Sequence, residues 1–582
     1  MYRLLQILLA IGLVGMTLLG PAGAALAGGP VGNGTPASCN ETTFKAALVG
    51  GGAVTFACGG PKTIQLTSPA AINQDTTIDG GSVITLTGNL ATQLFSVGPG
   101  TNLTLKNITL DKGYANHHVG GAIINAGSLA LDNVSIQNSV ADNDGGAIWT
   151  SGPVSIRNSR LHDNNGKDGG AIYEQNPRPL TIDNSTFTHN TALDPHTGSG
   201  GAIALGPGAQ LTMTGGSLIN NFAPLEGGAL NLAAGASATF APGAAGGTSL
   251  SFNSVLGYGG AISNNGGRLV LEGASLDHNQ TLTDSVAIGF GGAIDGEGAM
   301  LVHNSLFNSN QARFGGAVFV GGVLYNARAD IQHTHFTGNQ AAQNGGALYA
   351  NTVTTTVTIT DSSFEFNIAT FGGGLSRTDA RLSLSRSSIT DNTAMNGGGL
   401  ALQALPDPTD GPFVEIHDST ISGNLSTSGF GGGINNFGLL DLVNVTVGGN
   451  HQGLYNTSKP GSSAVARLEN TVLDNLPGGN CGGDGTLPSS AGFNYSTDAS
   501  CGLAGTGDQE GLGLNAMLGP LTNADSFTSY QMPQPGSPLI NQIANGCSAT
   551  DQRFALRVGQ CDIGAIEFGG LLPRIFVPLI KK

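Results

Sequence analysis

The sequence is poor in charged residues and in aromatic residues. Charged residues make up 10% of the 582 positions and aromatic residues 6%, with a single tryptophan, whereas about 25% charged residues is usual. Positive charge is the scarcest, because 22 lysines and arginines face 38 acids, which gives a formal net charge of −16. A chain this acidic repels phosphate backbones, so we expect no nucleic-acid partner.

Long apolar runs are also lacking, except at the N-terminus. Arg3 precedes an apolar stretch, residues 4–19, and the small-x-small sequence Ala25-Leu26-Ala27 follows. This pattern predicts a signal peptide over residues 1–27, with export to the cell surface or medium; an uncleaved anchor is the alternative. No later segment approaches the roughly 20 apolar residues of a membrane helix, so none is expected after cleavage.

Cysteine is scarce, and its spacing excludes the common metal motifs. There is no C-x-x-C and no Cys/His cluster, which argues against a zinc site. An even number of cysteines in an exported chain predicts disulfides, and pairing of sequence neighbours is the simplest connectivity, although the sequence does not fix it. The close pairs are Cys39 and Cys58, Cys481 and Cys501, and Cys547 and Cys561.

Glycine, in contrast, is abundant and periodic. The 94 glycines include a double glycine followed by Ala or Gly and an aliphatic residue, which recurs twelve times at intervals of 24 to 34 residues. Such a period indicates a solenoid or a propeller. A repeat of 24 residues is too short for a propeller blade, and the sequence lacks the 3.6-residue periodicity of a helical solenoid. The first glycines are Gly120, Gly145, Gly169, Gly200, Gly227, Gly259, Gly291, Gly315, Gly345, Gly372, Gly397 and Gly431.

Equivalent positions of the repeats share their chemistry. The third residue after the first glycine is always aliphatic, and the next residue is mixed, so alternation places that mixed column outside. Each repeat therefore predicts one coil of short strands in a parallel β-helix. A recurrent asparagine predicts a ladder of side-chain amides at the turns; its members are Asn164, Asn190, Asn221, Asn253, Asn279, Asn310, Asn339, Asn367, Asn392, Asn424 and Asn450.

The repeat motifs resemble those of a known family. GGAI, GGAV and GGAL, combined with FTHN, FNSN, FTGN and FEFN, are similar to the repeats of chlamydial polymorphic outer-membrane proteins. More widely, they resemble the pectin-lyase-like superfamily of right-handed parallel β-helices. The resemblance covers residues 63–475 and implies an all-β, right-handed parallel β-helix of about 14 coils. The long run of alternating strands of a translocating barrel, which the chlamydial proteins carry, is not seen in this sequence.

The two ends of such a solenoid expose strand edges that need a cover. Residues 28–62 predict a short helical N-terminal cap that begins with the capping box Ser38-x-x-Glu41. Residues 476–568 break the period, and their ordered motifs NC, DASCGL, PGSP, DQR and CDIGA resemble the C-terminal region of choice-of-anchor Q surface proteins. We therefore predict a disulfide-containing C-terminal cap. The tail, residues 569–582, could be a sorting signal, a last strand or a frayed end.

One group of side chains is a candidate ligand site. Asp144 and Asp168 precede successive double glycines, and Trp149 and Tyr173 share the outer mixed column. Carboxylates on coils about 4.8 Å apart repel unless a cation separates them, which makes calcium a candidate ligand of Asp144 and Asp168. Paired rings beside acids suit sugar binding. The alternative is that all four are ordinary turn and strand residues.

These observations predict a secreted or cell-surface bacterial β-helix protein that is non-catalytic and adhesin-like or structural. Its expected partner is an extracellular polysaccharide or the surface of a host or neighbouring cell, and a monomer is the expected state. The alternative is a carbohydrate-binding protein or a carbohydrate-active enzyme of the pectate-lyase type, a lyase or a hydrolase. No catalytic residue is assigned, and no cofactor apart from calcium is expected.

Overall fold

A computed structural model describes residues 28–282, 289–322, 324–403, 414–457, 464–475, 477–544 and 546–572. The predicted signal peptide and tail residues 573–582 lie outside the described residues. The described part is nearly all β and forms a parallel β-helix of about 17 turns, which confirms the predicted class. The turns exceed the predicted 14 because the strand ladders run past residues 63 and 475, from Gly29–Val31 to Gln509–Glu510. Within these ranges, no helix is long and apolar enough to cross a membrane.

Each coil passes through three sheets, which we call the glycine face, the long face and the short face. In one coil, the glycine face contributes Ile148–Thr150, the long face Val154–Arg157 and Arg160–His162, and the short face Asn165–Gly166. The next coil begins in register above it, with Ile172. Because the register is kept from coil to coil, positions that repeat in the sequence become columns in space.

The glycine face consists of the strands that follow the double glycines and their counterparts in the terminal coils. They are Ala70–Ile72, Phe95–Val97, Ile123–Asn125, Ile148–Thr150, Ile172–Glu174, Ile203–Leu205, Leu230–Leu232, Ile262–Asn264, Ile294–Gly296, Val318–Val320, Leu348–Asn351, Leu375–Thr378, Leu400–Gln403, Ile434–Asn436, Leu454–Asn456 and Cys481–Gly483. The short face consists of Tyr114–Ala115, Val140–Ala141, Asn165–Gly166, Thr191–Ala192, Phe222–Ala223, Ser254–Val255, Gln280–Thr281, Gln311–Phe314, Gln340–Asn344, Ile368–Phe371, Thr393–Asn396 and Leu425–Phe430.

The long face bends in the middle, so most coils contribute two strands to it. Its strands are Gly29–Val31, Gly52–Phe56, Lys62–Gln65, Thr76–Thr87, Asn102–Asp111, Ser128–Gln137, Val154–Arg157, Arg160–His162, Pro179–Asp183, Thr186–Thr188, Gln210–Thr214, Ser217–Ile219, Ser237–Ala241, Ser249–Ser251, Arg268–Glu272, Ser275–Asp277, Ala299–His303, Leu306–Asn308, Arg328–Gln332, His335–Thr337, Thr356–Thr360, Ser363–Glu365, Arg381–Ser385, Ser388–Thr390, Val414–His417, Thr420–Ser422, Leu439–Val443, Thr446–Gly448, Val465–Glu469, Val472–Asp474, Ser489–Gly492, Tyr495–Ser496 and Gln509–Glu510.

The double-glycine motif marks a corner at which the backbones of successive coils lie almost in contact. The first glycine has a positive φ, +64° at Gly315, a conformation that favours glycine. A Cβ on the second glycine, Gly316, would lie 2.0 Å from the carbonyl oxygen of Gly346 on the next coil. The third position holds a fully buried methyl group, as at Ala317. The corner geometry therefore explains why the double-glycine motif recurs at each of these coils.

The predicted asparagine ladder runs through the interior of the coils. The side chain of Asn310 is fully buried. Its Nδ2 donates to the Leu276 carbonyl at 2.9 Å and to Asn339 Oδ1 at 3.0 Å. Its Oδ1 accepts from the Asn279 backbone N–H at 2.9 Å. Each ladder asparagine thus replaces the backbone hydrogen bonds that the turn cannot make.

The ladder is longer than predicted. Asn450, the last predicted member, donates through Nδ2 to Asn475 Oδ1 at 2.8 Å, and Asn475 donates in turn to Asn480 Oδ1 at 3.2 Å. Asn450 therefore has ladder neighbours on both sides. The reason is that the coils continue regularly through the segment in which the glycine motif has already been lost.

The N-terminal cap contains the expected short helix, with a different first turn. The helix is Glu41–Ala47, preceded by a 3₁₀ turn, Pro36–Ser38. Its capping box is formed by Asn40 and Thr43, not by Ser38 and Glu41 as predicted. Glu41 instead binds the next coil, where its carboxylate accepts from the Thr67 backbone N–H at 2.9 Å.

The cap helix closes the interior of the first coils with one aromatic side chain. Phe44 is fully buried, and its ring lies 6.0 Å from Phe56 and 6.3 Å from Phe95. The disulfide Cys39–Cys58 joins the cap to the first long-face strands. The other disulfides are Cys481–Cys501 and Cys547–Cys561, so all three are the neighbour pairs expected from the sequence.

The C-terminal region folds back along the outside of the long face. It adds one antiparallel pair of strands, Leu518–Thr522 and Tyr530–Pro533. Its contacts reach coils far earlier in the chain: Gln552 Oε1 accepts from Thr420 Oγ1 at 2.6 Å. The ring of Phe527 stacks on His333 with 3.6 Å between centroids. The predicted end cap is therefore also a lateral cover, which we call the return segment, residues 512–572.

The return segment has a charged, fully buried centre. Within the DQR motif, Arg553 Nη2 lies 2.8 Å from Asp551 Oδ2. Arg557 Nη1 lies 3.5 Å from Glu567 Oε2 and its Nη2 lies 3.4 Å from Asp418 Oδ1 on the long face. Removing one partner of such a pair would leave a buried charge uncompensated, which is costly.

Candidate functional site

Two columns of side chains run along the outer surface on either side of the double-glycine corner. One column holds the residue before the first glycine, and the other holds the residue four positions after it. Their rings meet across the corner, with 4.5 Å between the centroids of Phe290 and Phe319 and 5.9 Å between those of Phe314 and Tyr349. We call this surface the corner groove.

The members of the corner groove change in character along the rod. From the second double glycine onward, the first column is Asp144, Asp168, Ser199, Glu226, Tyr258, Phe290, Phe314, Asn344, Phe371, Asn396 and Phe430. The second column is Trp149, Tyr173, Ala204, Asn231, Ser263, Asp295, Phe319, Tyr349, Ser376, Ala401 and Asn435. All four acids of the two columns thus lie in the first six of these coils, together with Trp149 and Tyr173, whereas further rings follow in the middle of the groove.

The four predicted site residues lie together at the N-terminal end of the groove. Trp149 and Tyr173 are register partners on the glycine face. Asp144 and Asp168 occupy the same corner position on successive coils, and all four side chains are half-buried. The pKa of Tyr173 is raised by burial and further by the charges of Asp144 and Asp168, so its phenol is within range of both carboxylates.

The two aspartates are held in a setting that disfavours their ionised forms. Burial is the main cause that raises the pKa of Asp168 to about 6, and the charge of Asp144 adds to it. The nearby Lys167 ammonium and the Ser199 backbone N–H, which donates to Asp168 Oδ1 at 2.8 Å, act in the opposite direction. Burial also raises the pKa of Asp144.

A second acidic cluster, not singled out from the sequence, lies three to five coils further along the groove. Asp295 is 2% exposed and its Oδ1 accepts no hydrogen bond within the described protein. Burial is the main cause that raises its pKa well above the usual value, and the charges of Glu297 and Glu226 add to it. Glu226 Oε2 accepts from Asn265 Nδ2 at 2.7 Å. This cluster could have been found from the sequence, because Glu226 lies in the same column as Asp144 and Asp295 lies in the same column as Trp149.

The mixed column is less exposed than strand alternation predicted. Phe319 is 5% exposed and Tyr349 6% exposed, although both point away from the coil interior. The reason is that the rings of the first column lie over them, so the groove is a packed seam in its middle and open towards its N-terminal end. The Phe319 and Tyr349 pair, 5.7 Å apart, therefore serves packing.

The acids of the groove form no close ion pairs with basic side chains in the described ranges. Of the ion pairs within the described ranges, none includes Asp144, Asp168, Glu226, Asp295 or Glu297. In the same part of the chain, no group of three or more His, Cys, Asp or Glu side chains is placed to hold a metal ion. A calcium ion between Asp144 and Asp168 would have to draw most of its six to eight oxygen ligands from elsewhere.

Comparison with known proteins identifies the repeat. Residues 184–206 and 333–351 match the Chlamydia polymorphic membrane protein repeat, and each match spans an asparagine of the ladder and the following double-glycine corner. No curated protein matches the chain. The described protein is thus a parallel β-solenoid that contains repeats of the Chlamydia polymorphic membrane protein type.

Three solved structures match the chain at low similarity. PfbA, a surface adhesin of Streptococcus pneumoniae, is 12% identical, with a TM-score of 0.27 over 80% of this chain and 94% of that chain. The catalytic domain of a GH87 α-1,3-glucanase in complex with tetrasaccharides is 11% identical, with a TM-score of 0.23 over 83% and 69%. The catalytic unit of the GH87 α-1,3-glucanase from Streptomyces thermodiastaticus is 12% identical, with a TM-score of 0.22 over 84% and 70%. Scores this low carry no argument about function.

Proposed function

We propose that this protein is an exported, cell-surface rod that binds an extracellular polysaccharide along the corner groove and acts as an adhesin without catalysis. The observation that carries the proposal is the groove itself, in which half-buried rings stand beside acids without ion-pair partners on successive coils. Rings offer flat apolar surfaces to sugar C–H groups, and carboxylates accept hydrogen bonds from hydroxyls. The coil spacing of about 4.8 Å is comparable with the length of one sugar unit in an extended glycan.

Export and surface attachment complete the proposal. The N-terminal signal pattern, residues 1–27, supports export, and the likeness of residues 476–568 to choice-of-anchor Q proteins supports attachment to the cell surface. The matches to the Chlamydia polymorphic membrane protein repeat support the same assignment. We propose a monomer, because the cap helix closes the first coils, whose strands could otherwise pair with a second chain.

Binding of the mature chain to a glycan array, followed by calorimetry on the best ligand, tests the proposal. The variant Trp149→Ala/Tyr173→Ala removes both rings at the open end of the groove, and we expect it to weaken binding by about tenfold or more. Phe366→Ala is the matched control, because Phe366 is 58% exposed and lies on a turn outside the groove. Equal affinity of wild type and the double variant would contradict this placement of the site.

A polysaccharide hydrolase is the second candidate, and the Asp295 cluster favours it. A carboxylic acid kept protonated beside ionisable carboxylates is the arrangement with which glycosidases supply their acid and base. Asp295 is comparable in one respect, because burial and the charges of Glu297 and Glu226 raise its pKa well above the usual value. Release of reducing ends from the glycan that binds best, lost in Asp295→Asn, would establish hydrolysis, whereas binding without product would leave the adhesin.

A further inference from the structure

Acids recur along the corner groove on four of the six coils from Gly145 to Gly291, and we call this interrupted row the acidic strip. Its members are Asp144, Asp168, Glu226 and Asp295 of the two columns, together with Glu297, which directly follows the glycine-face strand of Asp295. Lys167 is the cation that acts on the first two, and no cation acts on Asp295 or Glu297. Where its carboxylates are ionised, such a strip repels a uronic acid polymer and attracts a cation, and a bound cation in turn favours the ionised forms.

The C-terminal end of this strip contains a buried acceptor that the protein leaves unsatisfied. Asp295 Oδ1 has no donor within the described chain, in contrast to Glu226, which is bound by Asn265. Burying a carboxyl oxygen without a hydrogen-bond donor lowers the stability of the fold. A cation held at the half-buried carboxylates of Glu226 and Glu297, whose charges act on Asp295, would favour the ionised form of this buried group.

The rings beside the strip select a sugar rather than an extended basic peptide. Trp149 and Tyr173 flank the first two acids, and Tyr258 and Phe290 stack at 5.8 Å beside the second cluster. Flat rings next to acids offer a face to the apolar side of a pyranose, and a ring face also attracts an ammonium group. Both requirements are met by a sugar that carries a free amine.

We infer that the corner groove binds a cationic glycan, a polymer of amino sugars with free amines, through the acids from Asp144 to Glu297. The inference rests on the proposed polysaccharide-binding function and names its ligand class. It differs from the bridging calcium predicted for Asp144 and Asp168, because Glu226, Asp295 and Glu297 extend the acidic strip and no metal-binding group of three or more such side chains is present among the described residues.

Calorimetry of the mature protein with four probes tests the inference. They are a glucosamine hexamer, its fully N-acetylated counterpart, an oligogalacturonate with and without Ca²⁺, and oligolysine. We expect the glucosamine hexamer to bind more tightly than the acetylated form by about tenfold or more, and to lose affinity as salt is raised. Glu226→Gln/Asp295→Asn should remove most of that preference.

The matched control is Asp330→Asn/Glu415→Gln, which removes the same two charges from the long face. Its affinity should equal that of wild type, and circular dichroism should show all variants folded. If Glu226→Gln/Asp295→Asn does not fold, Asp144→Asn/Asp168→Asn tests the same charge at the open end of the groove.

The four probes separate failure of this inference from failure of the proposed function. Equal binding of the acetylated hexamer would refute the cationic ligand and keep a polysaccharide-binding groove. Tighter binding of oligolysine than of the glucosamine hexamer would assign the groove to a basic peptide. Calcium-dependent binding of oligogalacturonate would restore the bridging-cation hypothesis. Binding of none of the saccharides would overturn the proposed function together with the inference.

Discussion

Replacement of Asn310 by alanine measures what one rung of the asparagine ladder contributes. The substitution removes the acceptor of the Asn279 backbone N–H and the Nδ2 donor to the Leu276 carbonyl. Both Asn279 and Leu276 are fully buried, so water cannot replace either partner. An unsatisfied buried polar group costs about 1–3 kcal/mol, and two of them therefore predict a loss of about 2–6 kcal/mol.

The ladder also predicts that the stability lost on removing a ladder asparagine is the same in the middle of the rod and near its C-terminal end. Asn450 accepts from the Asn424 backbone N–H at 2.9 Å and donates to the Ile421 carbonyl at 2.9 Å, which is the same pair of bonds. Asn450→Ala should therefore cost as much as Asn310→Ala, although the sequence had suggested that Asn450 was a ladder end with a single neighbour.

Urea unfolding followed by circular dichroism provides the assay, together with hydrogen exchange of the Asn279 amide. Asn308→Ala is the control on the same coil, because Asn308 is half-buried and pairs with Asp277 at the surface; we expect a change below about 1 kcal/mol. The reasoning fails if Asn310→Ala unfolds at the same urea concentration as Asn308→Ala and leaves the Asn279 amide equally protected.

Three further predictions concern the corner, the groove and the N-terminal cap. Gly316→Ala should prevent folding of the rod, because its Cβ would lie 2.0 Å from a carbonyl oxygen. Gly374→Ala should be tolerated, because the nearest contacts of its Cβ would be at 3.0 Å. Thermal unfolding of the two variants should therefore show a cooperative transition for Gly374→Ala and none for Gly316→Ala. The pKa of Asp168 is raised from 3.8 to about 6 in the folded protein. Ionisation of this side chain therefore destabilises the fold: the loss of stability is absent below the unfolded pKa and grows as the pH rises between about 4 and 6. Asp168→Asn should therefore stabilise the protein by about 1–3 kcal/mol at pH 7 but not at pH 4, and equal gains at both pH values would be inconsistent with the raised pKa. Removal of the Cys39–Cys58 disulfide, whose cysteines are 19 residues apart, should cost about 3 kcal/mol in urea unfolding, and no change would show that the cap is held by packing alone.

The sequence was sufficient for the coil and its corners because both are periodic. The aliphatic column that contains Ile148 and Ile172, the ladder asparagines and the double glycines each repeat at equivalent positions, and the structure places each in one column. The neighbouring cysteine pairs were also within reach, because each lies within 20 residues in sequence.

The rest depends on contacts that leave no periodic signal. The return segment binds coils more than 100 residues earlier, as in the hydrogen bond between Gln552 and Thr420, and nothing in the local sequence specifies that partner. The groove was recognised only at its first two acids. Glu226 and Asp295 were missed because they stand in different columns, and the rings of Tyr258 and Phe290 separate them in the sequence.

The return segment changes how the rod can come apart. In an ordinary solenoid each coil contacts only its neighbours, so coils peel one by one from an end. Here the strands Ser388–Thr390, Thr420–Ser422 and Thr446–Gly448 are buried on both sides, because the return segment lies across them. A pulling force on the C-terminal end would first have to shear contacts on several coils at once. We therefore expect the coils under the return segment to unfold together as one cooperative unit, whereas the coils nearer the N-terminus can unfold one at a time.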